Sequence, residues 1–284
     1  MTGNPVLTKE LRDRVRTWRS PLVITVYLGF IAVVGGFFIF EQTRGGMGGP
    51  RVYRMGIEIF NIMAILQIGL IAFLTPGLTA GVISGERERQ TLPLLMITRM
   101  SPLSVATGKL ISAISYMLLL IVISMPFYSI VFFFGGVSLS QFFQVAGILM
   151  VTTVLLGSMG MFFSSLFKRT TVAIIVTYGA TFMLFFGTVF LTALIVQITQ
   201  YYIGGPVTGP QSVPFIIYFN PLVALGSVLP MGGNIVPFSS SNLPIQSLAP
   251  WQVSLLLDTV ITLLAVGLTV WLIRPTRAGS KRRG

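Results

Sequence analysis

The sequence predicts an all-α polytopic membrane protein with six transmembrane helices, and three observations predict it. Of the 284 residues, 54% are hydrophobic and only 9% charged, against about 25% charged in a soluble domain, which leaves too few charges to coat a water-facing surface. The apolar residues lie in blocks of the roughly 20 residues that carry a helix across the hydrocarbon core. The basic residues behind the net charge of +12 sit at the ends of those blocks, a placement that reads as membrane topology.

Residues 1–20 form the first element. Leu7, Leu11, Val15 and Trp18 recur at helical spacing as one narrow apolar stripe, with Lys9, Arg12, Arg16 and Arg19 pointing away from it, the pattern of an amphipathic helix lying on a membrane surface. Arg14 falls near the stripe and must snorkel. Residues 21–284 then form a six-span membrane domain. Span one is about 21–40, followed by a Gly-rich turn around Gly45, Gly46, Gly48 and Gly49 that runs on to Met55. Span two is about 57–83 and span three 103–134, long enough for a kink at Pro126. Span four is 141–167, and only Lys168 and Arg169 separate it from span five at 170–197. Residues 198–250 contain Pro214, Asn220 and Pro221 among Gly, Pro and Ser. They read as an outer-face segment with short helices that dip into the interface or re-enter, because irregular backbone at depth must be sheltered by protein. Span six is 251–273.

With the N-terminus in the cytoplasm, six crossings keep 16 of the 19 basic residues inside and leave only Arg44, Arg51 and Arg54 outside. A cleaved leader is not expected, since the apolar run is longer than a signal-peptide core and no A-x-A site follows. Nucleic acid is not an expected partner, because no folded polar surface gathers the basic side chains. The chain has no Cys and no His, which excludes thiolate or imidazole catalysis and zinc or haem ligation by those side chains. It has no phosphate-binding loop of the G-x-x-x-x-G-K-[ST] type. The reading is therefore a non-enzyme with no catalytic, cofactor-binding or metal-binding residues; if ATP drives it, another chain binds the ATP.

The most informative segment is 84–102. Its charged half, Glu86, Arg87, Glu88 and Arg89, precedes an apolar run of Leu92, Leu94, Leu95, Met96 and Ile97 that closes on Arg99. Apolar residues exposed to water beside a charged collar mark a protein contact. Gly85-Glu86-Arg87-Glu88, Thr91-Leu92, Leu94-Leu95, Thr98, Ser101-Pro102 and Gly108-Lys109 resemble the signature of ABC-2 type transporter permeases. Asn4-Pro5-Val6-Leu7 with Lys9-Glu10-Leu11-Arg12 resembles that family's N-terminal elbow helix. The resemblance runs through nearly the whole chain in order: elbow, six spans, a cytoplasmic coupling helix after span two, an outer segment before span six. Pro93 departs from the family, which commonly carries a non-proline, often acidic, residue there; proline suits the first turn of a helix, so the coupling helix is expected to start near Leu92.

The resemblance implies a permease subunit of an ABC exporter in a prokaryotic plasma membrane. It implies a second permease copy or relative as partner, and a cytoplasmic ATP-binding subunit that holds ATP and Mg. Glu86, Arg87, Glu88, Arg89, Leu92, Leu94, Leu95, Met96, Ile97 and Arg99 are the candidate partner-binding residues. Asp258, about 10 Å down span six from Trp251 at 1.5 Å per residue, is a candidate intramembrane functional residue, since a carboxylate at that depth is costly; a buried helix-to-helix hydrogen bond is the alternative. Glu41 and Glu58 fall at the outer edge, and Gly157, Gly160 and Ser164 offer a small face for helix packing. Two other functions stay open: a membrane scaffold docking a cytoplasmic partner, and a lipid-modifying enzyme relying on Asp258, Glu58 and hydroxyls.

Overall fold

Each long apolar block becomes a helix, because only a helix or a closed barrel satisfies its own backbone in lipid. The computed structural model describes residues 19–44, 49–90, 102–203, 214–230 and 249–273. Among these residues there is no strand, and six helical stretches are long and apolar enough to cross a membrane. In order they are α1 (Arg19–Arg44), α2 (Gly49–Thr79), the short α3 (Ser84–Glu88), α4 (Pro102–Phe134) and α5 (Leu139–Leu166). Span five follows as α6 (Thr170–Phe182), a π-helical turn (Met183–Gly187) and α7 (Thr188–Ile203). A 3-10 turn (Phe215–Phe219), α8 (Pro221–Val228) and α9 (Pro250–Ile273) complete the set.

Helix ends depart from the expected spans where local chemistry extends them. Helix α2 starts at Gly49 instead of after Met55, because Pro50 sits in the first turn, where its missing N–H is no loss. Span five carries on past 197 to Ile203 and ends in Tyr201 and Tyr202, which are 83% and 81% exposed, as amphipathic rings at a membrane interface are. Helix α5 begins at Leu139 because Ser138 and Gln141 form a reciprocal capping box. Gly135 and Gly136 make the preceding reversal at φ 76° and 93°, a region that disfavours any side chain.

Helix α5 is the centre of the bundle. It packs against α2, α4, α6, α8 and α9, and 67% of its spanning window is buried, against 12% for α1. Its main apolar cluster is built from Phe60, Ile68 and Ile71 of α2, Met117 and Leu120 of α4, and Ile148, Leu149 and Leu156 of α5, and a second, with Ile83, Leu110 and Met161, lies at the end where α2 stops. Gln67 and Tyr128 are buried within this region but satisfied: Gln67 Nε2 donates to Ser124 Oγ at 2.7 Å and Tyr128 donates to Gln67 Oε1 at 2.5 Å. Ala224 and Leu225 of α8 are fully buried in the same cluster, so the segment before span six reaches into the bundle.

Close approach of α2 to α5 depends on glycine. A Cβ on Gly160 would lie 2.1 Å from Thr79 Oγ1 and 3.3 Å from the Ala80 backbone nitrogen, and one on Gly157 2.4 Å from Ile114 Cγ2. The expected small face is therefore a seam that holds α2 and α4 against α5 where α2 ends.

Candidate functional site

Helix α2 stops at Thr79, residues 80–83 turn, and α3 follows at once. This turn would leave backbone N–H groups without partners, and one hydroxyl from another span takes two of them. Ser164 Oγ, near the end of α5, accepts from the Ile83 and Ser84 amides at 2.9 Å each and donates to Ser84 Oγ at 3.2 Å. Ser84 and Ser164 are both fully buried.

Two carboxylates fasten α3 to two further helices. Glu86 forms an ion pair with Lys109 of α4, whose side chain is only 3% exposed while that of Glu86 is 24% exposed. Glu88 Oε1 accepts from the Thr170 backbone N–H at 2.9 Å, and Oε2 accepts from its hydroxyl at 2.7 Å. Arg169 gives α6 no side-chain cap among the described residues, so Glu88 caps that helix from across the loop, where a negative charge also suits the helix dipole. The Thr170 amide, then its hydroxyl, hold the Glu88 carboxyl below the usual carboxylate range, since both donate to the charged form. Gly81 lets the turn come this close, because a Cβ there would sit 3.2 Å from Thr170 Cγ2.

The charged collar therefore divides. Glu86 and Glu88 bond to the chain itself, tying α3 to α4 and α6, while Ser164 ties it to α5. Arg87 is half-buried and Arg89 exposed. Leu92, Leu94, Leu95, Met96, Ile97 and Arg99 lie outside the described residues, as do the N-terminal stripe and the basic C-terminal tail. The connections from Ser164 and Thr170 were not read from the sequence. Ser164 was seen only as a small residue on a helix face, and no local pattern signals a hydrogen bond across 80 positions.

Asp258 stands apart from this clamp. It is 1% exposed on α9, and among the described residues neither carboxylate oxygen has a hydrogen-bond partner. Ser254, one turn earlier on the same face, is fully buried and its hydroxyl likewise has no partner among the described residues. Glu41 and Glu58 are exposed. Among the described residues no group of three or more His, Cys, Asp or Glu side chains could hold a metal ion.

The fold and this clamp define a class: a polytopic helical membrane protein whose short loop helix is bonded to three spanning helices at one end of the bundle. The chain belongs to the ABC-2 family of transporter proteins, whose model matches residues 5–273. A comparison with curated proteins found no match. Membership makes the chain the membrane component of an ABC transporter, a machine that works with an ATP-binding partner.

Proposed function

We propose that this permease is one half of an exporter's transport path, paired with a second copy or a related permease, in the plasma membrane of a prokaryote with both termini cytoplasmic. Each permease docks a separate ATP-binding subunit, which holds ATP and Mg, through residues 86–100. The observation that carries the reading is the three-way anchorage of α3. A segment that only reversed the chain needs no bonds to three other helices, whereas one that transmits force needs all of them.

ATP closure of the partner moves the apolar run from Leu92 to Ile97, seated in a groove with Arg87, Arg89 and Arg99 at its rim. The motion enters α3 and reaches α4 through Glu86 and Lys109, α5 through Ser164 and α6 through Glu88 and Thr170. Packed helices move as rigid bodies between discrete arrangements, so the three spans shift together. Asp258 serves the passage of cargo on this reading.

Replacing Leu94 and Leu95 by Asp is expected to detach the ATP-binding subunit in detergent co-purification while the permease still inserts, because an unpaired carboxylate buried at an interface costs several kcal/mol. Substituting Arg87 or Arg89 is expected to do less, since rim charges mainly change association rate and salt dependence. Retention of the partner and of ATP-driven transport by the double Asp variant would overturn the docking assignment. The orientation is checked separately in this cysteine-free chain by a single Cys at Ser280, which an impermeant reagent added outside should leave unlabelled.

A further inference from the structure

Span five is one helix in two bodies. Its first half, α6, packs against α2, α3 and α5; besides the Glu88 cap, Tyr178 donates to the Phe73 carbonyl of α2 at 2.8 Å. Its second half, α7, packs chiefly against the 3-10 turn of the segment before span six. Between them lies the π turn Met183–Gly187, which inserts one surplus residue into an α-helix and displaces its hydrogen-bond ladder. A carbonyl displaced from the ladder in such a turn can be paired by a side chain from outside the helix.

Asn220 does that. It is fully buried, and its Nδ2 donates to the Phe185 carbonyl inside the π turn at 2.7 Å and to Thr188 Oγ1 at 2.8 Å. Thr188 passes the contact on by donating to the Leu184 carbonyl at 2.7 Å. The other end of the amide is also occupied, since Oδ1 accepts from the Leu222 N–H at 2.8 Å and so caps α8. One side chain thus starts α8 and bonds into the irregular turn of span five. Most other side chains around the turn, among them Phe182, Met183, Phe186 and Phe190, are exposed.

We infer that Asn220 is a positioning residue that holds the π turn open and thereby sets the rotational register of α7 against α6. Without the pin, the surplus residue passes into a regular α-helix, and α7 turns by about 100° and advances about 1.5 Å, one residue's worth of helix. That rotation takes Thr192, 6% exposed in the present register, off the packed face. The register statement rests on this geometry alone. Its use in transport, as the joint where motion of the anchored half is passed to or absorbed before the far half, rests on the permease reading above.

The test uses the full-length chain, which has no Cys. Single nitroxide labels placed one at a time over residues 189–195 report accessibility to molecular oxygen in lipid vesicles, and the parent is expected to show its minimum at Thr192. Asn220→Ser keeps an N-cap for α8 but is too short to reach Phe185, and is expected to move the minimum by one residue. Deleting Phe186 removes the surplus residue, so in that background the minimum should stay on the Thr192 side chain whether position 220 is Asn or Ser. A minimum unmoved in folded Asn220→Ser overturns the inference. So does a shift that persists in the deletion background, or failure of Asn220→Ser to fold in both backgrounds, which would make Asn220 a folding requirement only. If the register shifts as expected but ATP-driven transport is untouched, the pin stands and its role in transport falls.

Discussion

The two ends of this bundle are fastened by different chemistry. At the α3 end, an ion pair, a bidentate carboxylate cap and a doubly accepting serine join one short helix to three spans. In the far half, a single neutral amide hydrogen-bonds the segment before span six to a helix with a residue to spare. The first arrangement has several independent bonds and close backbone contact, so it resists relative motion. The second has one pin at a metastable turn, so it yields there first. On the proposed reading, force enters at the stiff end and the path changes at the compliant one.

The contrast is broken most severely along α5, which runs through both halves. Gly160→Val drives a side chain into Thr79, whose hydroxyl is bonded to the Thr75 carbonyl at 2.8 Å and is not free to swing away. Overpacking of this kind costs typically about 1–3 kcal/mol, and the backbone of Ala80 behind Thr79 puts this site at the upper end. Gly147→Ala, in the far half of the same helix, has nothing within 4 Å of the new Cβ and should raise stability by about 0.5–1 kcal/mol through helix propensity. Thermal midpoints in detergent check both, and equal shifts at the two sites would show that the α2 to α5 seam is not tight.

A second test separates stiffness from stability. Lys109→Met removes the cation from a nearly buried pair; losing one partner of a fully buried pair costs about 3–5 kcal/mol, and the quarter exposure of Glu86 lowers the expectation to about 2 kcal/mol. The ATP-binding subunit should still co-purify and hydrolyse ATP while transport falls. Adding Glu86→Gln should recover part of the stability but none of the coupling. Loss of hydrolysis in step with transport would mean that the pair shapes the docking surface instead of transmitting motion.

These tests probe contacts of unequal visibility in the sequence. Six spans were legible because each is a long apolar block with basic residues at one end or both. Gly85 to Glu88 stood out as a segment too charged for a mere turn and were read as a collar for a partner, whereas the structure bonds Glu86 and Glu88 within the chain. The partners of Glu86 and Glu88 were not legible, since Lys109 was read only as part of the family signature and Thr170 only as the start of span five, until the fold sets them beside α3. Asn220 was legible only in part. Asn and Pro inside an apolar stretch were read as short helices before span six, and Pro221 does start one, but the amide's second function depends on a π turn whose residues, Met183 to Gly187, are as apolar as the rest of span five. An inserted residue leaves no mark on composition or hydropathy.

Asp258 gives the smallest expected change in stability and the sharpest division between packing and function. A buried polar group that makes no hydrogen bond contributes no stability of its own and carries its full desolvation cost. Asp258→Leu should therefore leave the chain as stable as before, or more stable by about 1 kcal/mol, and Asp258→Asn should be close to neutral. Transport is expected to rank the other way, with Asn retaining more than Leu, because an amide keeps an acceptor and adds donors at the same place on α9 next to the unpartnered hydroxyl of Ser254. A residue that lowers stability while raising activity is the usual sign of a functional group held in an unfavourable place. Thermal midpoints and transport assays on the same two variants decide the point. A Leu variant that transports normally but melts earlier would make Asp258 a structural residue, and the search for a group that meets the cargo would have to move to another span.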